Sequence, residues 1–177
     1  MESLLTRELS NRSSRLAKHN VKLNGAKCQL FQAQVKYMGH ILSKHRISPV
    51  NSKLDVIRLA PRPKDVSQMR SFLGMLNYYS KFIQDFSSKL HPLYQLLSNK
   101  TEWFWTKECE TAFIWAKEVL SIKQVLVHYD LQKPLILSVD ANSYGIGVVL
   151  SHRMEDGSEQ PVEFASRTLS SAEKNYA

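Results

Sequence analysis

One carboxylate of this sequence has a setting that suits metal-dependent chemistry. Asp140 ends a predicted buried strand and precedes Gly145 and Gly147. A carboxylate there could help to hold a metal ion, but metal-dependent catalysis of this kind requires several carboxylates gathered around the metal. An aspartate at the end of a strand is also an ordinary turn former. Without further support, the residues favour the turn.

The other residue types that could carry catalysis lack a suitable spacing. No P-loop, nucleophile elbow or zinc pattern occurs, and no two aspartates are adjacent. Cys28 and Cys109 are too far apart for a metal-binding pair, which predicts an intracellular redox setting without a disulfide framework. No metal-site spacing is present among the six histidines, which are His19, His40, His45, His91, His128 and His152.

Three residues spaced four apart could contact nucleic acid from one face of a helix. They are Arg70, Gly74 and Tyr78, and Asn77 and Lys81 flank the same face, where they could reach phosphates or 2′-hydroxyls. A glycine in a helix interior costs about 1 kcal/mol relative to alanine, so Gly74 calls for a reason. Close approach of the backbone to nucleic acid is one reason, and close helix packing is the other.

A second candidate contact is the run from Lys36 through Tyr37, Met38 and Gly39 to His40. A glycine there permits close approach to a sugar-phosphate chain, and Lys36 and His40 add hydrogen-bond donors. The same run also suits a plain hairpin in which a strand glycine marks a bulge. The residues alone favour the plain hairpin.

The charge of the chain is divided unevenly. Residues 1–100 hold 17 Lys or Arg against 5 Asp or Glu, whereas residues 101–177 hold 7 against 11. The first half is therefore a polycation, which releases counterions when it meets phosphates. Nucleic acid is the leading class of partner, although solubilising surfaces, ribosome-like tails and membrane-surface segments also carry such charge.

A basic helix and a β-hairpin are predicted for the first 60 residues. Apolar residues near one face, with Arg and Lys around it, predict the helix from Leu4 to His19. Two short strands, Lys27–Phe31 and Val35–Ser43, predict the hairpin.

Two capped helices are predicted next. Asp65 stands three residues before Gln68, which is a capping-box arrangement. The buried stripe of this helix is predicted to contain Val66, Met69, Leu73, Leu76, Tyr79 and Ile83. Thr106, with Glu108 and Glu110 in the first turn, starts a second helix, which runs through Cys109, Phe113, Ala116 and Leu120.

Three antiparallel strands are predicted after residue 130. Asp156-Gly157 predicts the tight turn between the last two strands. Ser170 and Ser171, with Glu173 in the first turn, signal the start of another helix. The predicted strands are Leu135–Val139, Tyr144–Ser151 and Pro161–Ala165.

Several runs of the chain together resemble the polymerase polyprotein of gypsy-type long-terminal-repeat retrotransposons. They occur in the order found in that family, and they span residues 20–177. Several independent motifs in register make the resemblance specific. The runs are VKLNGAKCQLF, VKYMGHILS, MRSFLGMLNYYSKFI, the W-TKEC-TAF pattern from Trp105 to Phe113, VDANSYGIGVVL and FASRTLSSAEKNYA.

The resemblance implies that both candidate contact regions hold nucleic acid. The run Tyr37-Met38-Gly39-His40, with Lys36 beside it, resembles the primer grip, a hairpin that positions the end of the growing strand. The helix that begins at Asp65 resembles the thumb helix that lies along the minor groove of the template–primer duplex. That helix would present Arg70, Gly74, Asn77, Tyr78 and Lys81 to the duplex.

For catalysis, the resemblance implies an incomplete machinery. Asp140 matches the first catalytic and metal-binding aspartate of a ribonuclease H fold, which uses Mg²⁺ in the intact family enzyme. The catalytic glutamate of the family lies beyond the NYA run, so Glu173 is interpreted as a first-turn helix charge. The Tyr-x-Asp-Asp turn of the polymerase lies upstream of the match. We therefore expect no stably bound Mg²⁺ in this chain.

The expected fold is α+β, with a palm-hairpin remnant and a helical thumb followed by a truncated, antiparallel RNase H-like sheet. Residues 1–60 would hold the palm remnant, 61–130 the thumb and connection helices, and 131–177 the N-terminal part of the RNase H-like domain. Two positions depart from the family pattern: Arg46 replaces a usual glycine, which puts the local turn in doubt, and Gln124 replaces a common proline.

The implied function is that of a fragment of a retrotransposon RNA-directed DNA polymerase and ribonuclease H. The intact family enzyme is a nucleotidyltransferase and an endonuclease. This fragment would bind the template–primer but would not be catalytically competent alone. A domesticated, catalytically dead module that binds nucleic acid or protein is the alternative, and a purely structural interaction protein is a third.

The expected partners are an RNA–DNA or DNA duplex and, through the unpaired edge of the incomplete sheet, a second copy of the chain. No apolar run reaches the roughly 18 residues that a membrane helix needs, and charges replace the apolar part of a signal peptide near the start. We therefore expect an intracellular protein without a membrane partner.

Overall fold

The structure is a computed structural model that describes residues 2–29, 32–98, 103–122, 125–170 and 172–176. It forms two compact units, Met1–Val35 and Lys36–Ala177. None of the helices in the described residues is long and apolar enough to span a membrane.

The first unit contains the predicted basic helix, which is α1 at Glu2–Lys18. The predicted strand Lys27–Phe31 is wrong where the structure describes it, because Gly25–Lys27 forms a 3₁₀ turn and the next two residues have no regular structure. The Asn24 side chain causes the turn, since its Oδ1 accepts a hydrogen bond from the Ala26 N–H at 3.1 Å. Leu30 and Phe31 lie outside the described residues.

A small four-stranded sheet contains the hairpin, with strands in the order β1-β2-β3-β4. The predicted single strand Val35–Ser43 is wrong, because the chain reverses at Met38-Gly39. The neighbours β2 and β3 are antiparallel, with Ile41 opposite Ser48, and β4 pairs with β3 from far along the chain. The four strands are β1 at Gln34–Tyr37, β2 at His40–Ser43, β3 at Arg46–Pro49 and β4 at Leu126–Val127.

Five helices and one 3₁₀ turn of Lys36–Ala177 enclose the main core. Both predicted caps form: the Gln68 N–H donates to Asp65 Oδ1 at 2.8 Å, and the Cys109 N–H donates to Thr106 Oγ1 at 3.3 Å. The elements are α2 at Asn51–Arg58, α3 at Val66–Asn77, the 3₁₀ turn at Ser80–Phe82, α4 at Phe86–Lys89, α5 at His91–Gln95 and α6 at Lys107–Val119.

The core follows the predicted helical stripes closely. In α3 and the segment after it, every predicted stripe residue is buried except Val66, which is partly exposed. Phe72 of α3 meets Phe113 of α6 with ring centroids 4.9 Å apart, so these two helices share the centre of the core. The Arg58 side chain donates to the Leu120 carbonyl at 2.7 Å and ties the end of α2 to the end of α6.

The second sheet contains the three predicted strands in the order β5-β6-β7, antiparallel throughout. It docks on the segment that follows α3, because the Ser87 N–H donates to Ser166 Oγ at 3.0 Å and Phe164 packs against the core. The strands are β5 at Leu135–Ala141, β6 at Gly145–Arg153 and β7 at Glu159–Thr168.

The first strand of this sheet is not buried, contrary to the sequence prediction. In β5, Leu137 and Val139 are 64% and 61% exposed. Strand residues alternate between two faces, so these two side chains share one face, and that face is largely open to solvent. The apolar run therefore forms a strand, as predicted, but the strand is exposed and not buried.

Glu173 is a first-turn charge, as the sequence predicted, but the element that it begins is a short 3₁₀ turn and not an α-helix. It begins the 3₁₀ turn Glu173–Tyr176, and its carboxylate accepts hydrogen bonds from Arg167 at 2.6 and 2.9 Å and from Ser170 at 2.9 Å. The bonds from Arg167, followed by those from Ser170, lower the pKa of Glu173 to about 2. Ser171, the other predicted start signal, lies outside the described residues.

Removal of the α3 cap should destabilise the fold by a small, defined amount. We expect Asp65→Ala to lower the free energy of unfolding by about 1 kcal/mol, because the Gln68 N–H loses its acceptor. Asp65→Asn should keep most of the stability, since asparagine caps helices equally well. Urea unfolding measures the difference, and equal stability of the Ala and Asn variants would contradict the assignment of the cap.

The Glu173 carboxylate should stay ionised well below the usual range of glutamates. Because its pKa is depressed, its contribution to stability is complete above about pH 4.5 and is lost as the pH falls towards 2. NMR titration of the side-chain carboxyl should show this, and Arg167→Gln should move the titration upwards. The same titration midpoint in both proteins would rule out the ion pair.

Candidate nucleic-acid interface

The turn between β1 and β2 is a tight two-residue turn with an exposed tip. Met38 and Gly39 both have positive φ, at 43° and 72°, which is the pattern of a type I′ hairpin turn. The tip is open to solvent: Met38 is 71% exposed, Tyr37 is 59% exposed, and Lys36 is also exposed. Gly39 therefore forms a turn and not a bulge within a strand.

Tyr78, directly after α3, holds this turn against the helix. Its hydroxyl donates a hydrogen bond to the Met38 carbonyl, and its ring stacks on His40 at 5.2 Å between centroids, with 7° between the planes. A Cβ built on Gly39 would lie 3.2 Å from the Tyr78 hydroxyl oxygen, so the glycine also makes room for the tyrosine. The hairpin tip and the end of α3 thus form one surface.

His40, which was expected to add a hydrogen-bond donor at this surface, is buried. It is 8% exposed, and its ring packs on Phe82 as well as on Tyr78, with centroids 5.3 Å apart for Phe82. Burial lowers the pKa of His40, and the positive charge of Lys81 lowers it further. The neutral ring is therefore a packing element that supports the hairpin.

The outer face of α3 carries the predicted contact residues. Arg70, Gly74, Asn77 and Tyr78 are exposed, whereas the opposite side of the helix is buried in the core. A Cβ built on Gly74 would meet no heavy atom within 4 Å. Close helix packing, one of the two reasons considered for this glycine, is therefore excluded within the described residues.

Three cations surround this surface without acidic partners. Within the described residues, none of Lys36, Arg70 and Lys81 forms an ion pair. Lys81 is partly buried, and its Nζ lies 5.3 Å from the centroid of the Phe82 ring. We define the hairpin–helix surface as the tip residues Lys36–Gly39 together with Arg70, Gly74, Asn77, Tyr78 and Lys81.

Asp140 lies in β5 opposite Gly147 of β6, and its side chain is exposed. Asp85, which the sequence did not single out, approaches the same place: a Cβ built on Gly147 would lie 2.7 Å from its Oδ1. Asp85 has a positive φ of 53°. No sequence signal predicts this approach, because it depends on how the second sheet docks on the segment after α3.

The carboxylates near Asp140 do not make a metal centre. Within the described residues, no group of three or more His, Cys, Asp or Glu side chains is placed to hold a metal ion. The Mg²⁺ site that the RNase H resemblance implies therefore does not fit the residues that the structure describes. Gly147 is explained by the close approach of Asp85 and needs no catalytic reason.

Comparisons with known sequences find one domain family and a group of related polyproteins. A family model described as an RNase H-like domain found in reverse transcriptase matches residues 105–177. The Tf2-3 and Tf2-4 transposon polyproteins of Schizosaccharomyces pombe are each 35% identical over 163 residues, or 92% of this chain. The chain spans 12% of the length of those polyproteins.

Solved structures show the same fold. The foamy viral protease-reverse transcriptase dRH, in complex with ds DNA, matches with a TM-score of 0.79 and 20% identity, over 98% of this chain and 31% of that chain. The foamy viral protease-reverse transcriptase in complex with RNA/DNA hybrid matches with a TM-score of 0.70 and 22% identity, over 84% of this chain and 20% of that chain.

The α+β fold, the polyprotein relatives and the RNase H-like match point to the same origin. The chain is therefore similar to a segment of the retrotransposon polyproteins, and its residues 105–177 match the RNase H-like domain found in reverse transcriptase.

Proposed function

We propose that this chain binds the template–primer duplex, RNA–DNA or DNA, through the hairpin–helix surface. The observation that carries the proposal is the contact of Tyr78 with the β1–β2 turn, which joins two exposed regions into one surface. A duplex presents a phosphate every few ångströms, so a ligand of this length requires contacts held in a fixed relation to one another.

The chemistry of the surface suits a nucleic-acid backbone. Lys36, Arg70 and Lys81 supply positive charge without acidic partners among the described residues, and Asn77 supplies a neutral amide that can reach a 2′-hydroxyl. Gly74 leaves the helix backbone bare between them. The foamy viral neighbours were solved with dsDNA and with an RNA/DNA hybrid, which supports a duplex as the partner.

We assign no chemical step to this chain. Two-metal phosphodiester hydrolysis needs several carboxylates at one place, and no group of three or more possible metal ligands occurs within the described residues. We propose that Asp140 corresponds to one carboxylate of the RNase H-type catalytic set. In the intact enzyme this set would hold Mg²⁺. A catalytically dead binding module would use the same surface in the same way.

The proposal also assigns a domain to each part of the chain and places the protein inside the cell. Residues 1–60 would supply the palm part with the hairpin, residues 61–130 the thumb and connection helices, and residues 131–177 the beginning of the RNase H-like domain. The RNase H-like family match begins at residue 105, inside the second range.

Gly74 provides the sharpest test, because stability and binding should change in opposite directions. We expect Gly74→Ala to raise the free energy of unfolding by about 0.5–1 kcal/mol, since helix propensity improves and the added methyl group meets no atom. Duplex affinity should fall severalfold for Ala and at least tenfold for Gly74→Gln. Fluorescence anisotropy with a primed duplex measures the affinity.

The matched control for Gly74 is Thr111→Ala at an exposed position of α6, outside the hairpin–helix surface. This change should leave duplex affinity within twofold of that of the unmodified chain. Unchanged affinity of Gly74→Gln, in a protein that remains folded, would refute the proposed contact between this helix face and the duplex.

Self-association through β5 is a further expectation of this proposal. Within the described residues, β5 pairs only with β6, so its outer edge is open, and Leu137 and Val139 add exposed apolar surface. Sedimentation at micromolar concentration should therefore show dimers or larger species. Val139→Lys should restore the monomer, because a charge on an edge strand opposes pairing. A monodisperse monomer of the unmodified chain contradicts the expectation.

A further inference from the structure

A second cationic site lies away from the hairpin–helix surface. A cavity of about 600 Å³ opens between the β2–β3 turn and the segment that joins β4 to β5. We name it the linker pocket and define it by Lys44, Arg46, His128, Tyr129 and Lys133, which line it. A volume of this size is within the range of pockets that hold small molecules.

The charge of the linker pocket is strongly positive. Lys44, Arg46 and Lys133 line it together with His45 and His128, and Asp130 is the one carboxylate group among the described lining residues. Asp130 Oδ2 lies 3.9 Å from Lys133 Nζ, so these two residues form an ion pair. Lys44 and Arg46 have no ion pair within the part of the chain that the structure describes. An anionic ligand is the chemistry that such a lining favours.

Two sets of hydrogen bonds hold the walls of the pocket in place. His128 Nε2 lies 2.7 Å from the Ser43 carbonyl oxygen, so the nitrogen is the donor and the linker is tied to the β2–β3 turn. The turn itself is closed by the Arg46 N–H, which donates to Ser43 Oγ at 3.2 Å. The turn therefore forms with Arg46 in place of the usual glycine, and this arginine adds charge to the pocket.

Tyr129 adds an aromatic surface to the cationic lining. It is 54% exposed, and its ring lies 5.7 Å from the ring of the buried His152. His152 Nε2 accepts a hydrogen bond from the Asp130 N–H at 2.9 Å, so the chain on one side of Tyr129 is fixed as well. An exposed aromatic ring beside free cations is the combination that binds single-stranded nucleic acid by stacking and charge together.

We propose that the linker pocket binds one nucleotide of a single-stranded nucleic acid, with the phosphate at Lys44 and Arg46 and the base on Tyr129. A duplex does not suit a concave site, because its bases are paired and stacked and only an unstacked base can enter. The pocket lies at the other end of β2 from the Met38-Gly39 turn, roughly 14 Å away at about 3.4 Å per residue. The proposal extends the proposed function and rests on nucleic acid being the ligand class.

The first test compares charge-removing variants in anisotropy titrations with a labelled oligothymidylate and a labelled blunt-ended duplex. We expect Lys44→Ala with Arg46→Ala to weaken single-strand binding at least tenfold and duplex binding less than threefold. Arg70→Ala with Lys81→Ala should do the reverse. The matched control is Lys64→Ala with Lys89→Ala, which removes two exposed lysines outside both sites and should change either affinity less than twofold.

The outcomes separate the two proposals. If the Lys44 and Arg46 variant behaves as the control does, the linker pocket is refuted while the duplex proposal stands. If the Arg70 and Lys81 variant leaves duplex affinity unchanged, the proposed function fails and the pocket is judged on the single-strand data alone.

The second test addresses the base. Amide chemical shifts of the pocket residues are followed during addition of thymidine 5′-monophosphate or of inorganic phosphate. The nucleotide should bind more tightly than phosphate, Tyr129→Ala should remove that advantage, and Tyr129→Phe, which keeps the ring, should retain it. Equal affinities for phosphate and nucleotide would overturn the assignment of a base to Tyr129.

Discussion

The hydroxyl of Tyr78 and the carbonyl of Met38 form the contact on which the proposed duplex surface depends. The two residues are far apart along the chain, and their contact joins a two-residue turn to the end of a helix. The stacked His40 ring fills the space beneath the tyrosine, and its burial keeps it neutral. Without this contact, the hairpin tip and the α3 face would be two separate positive regions. Fixed together, they offer a continuous surface to a long, stiff ligand.

The segment that follows α3 has a second structural consequence, because the RNase H-like sheet docks on it. Ser87 bonds to Ser166, and Asp85 fills the space that a side chain at Gly147 would occupy. The sheet is thereby held through the same short stretch of chain that carries Tyr78 and Lys81. This arrangement links the proposed duplex surface to the Asp140 strand within one compact unit.

The two proposed sites differ in the shape of nucleic acid that each would bind. The hairpin–helix surface is exposed and extended, with a bare glycine and polar groups that suit a double helix. The linker pocket is concave and has an aromatic wall, which suits a single unstacked nucleotide. Both are rich in positive charge, but the distribution of that charge along the chain gave no indication of two separate sites.

The sequence by itself determined the elements whose signals are local. Four features depend on residues a few positions apart. They are the helix caps at Asp65 and Thr106, the apolar stripe of α3, the Asp156-Gly157 turn and the three antiparallel strands. The family resemblance likewise rests on short runs. These features were confirmed because the hydrogen bonds and side-chain periods that cause them lie within one element.

Only the tertiary structure decided which of these residues are available to a ligand. It turned Gly39 from a strand residue into a turn residue, buried His40, exposed the apolar strand β5 and brought Asp85 beside Gly147. It also assembled the linker pocket from the β2–β3 turn, the segment between β4 and β5, and two residues beyond residue 150. Each outcome depends on packing between distant segments, and the spacing of residues within an element does not determine which surface another element covers.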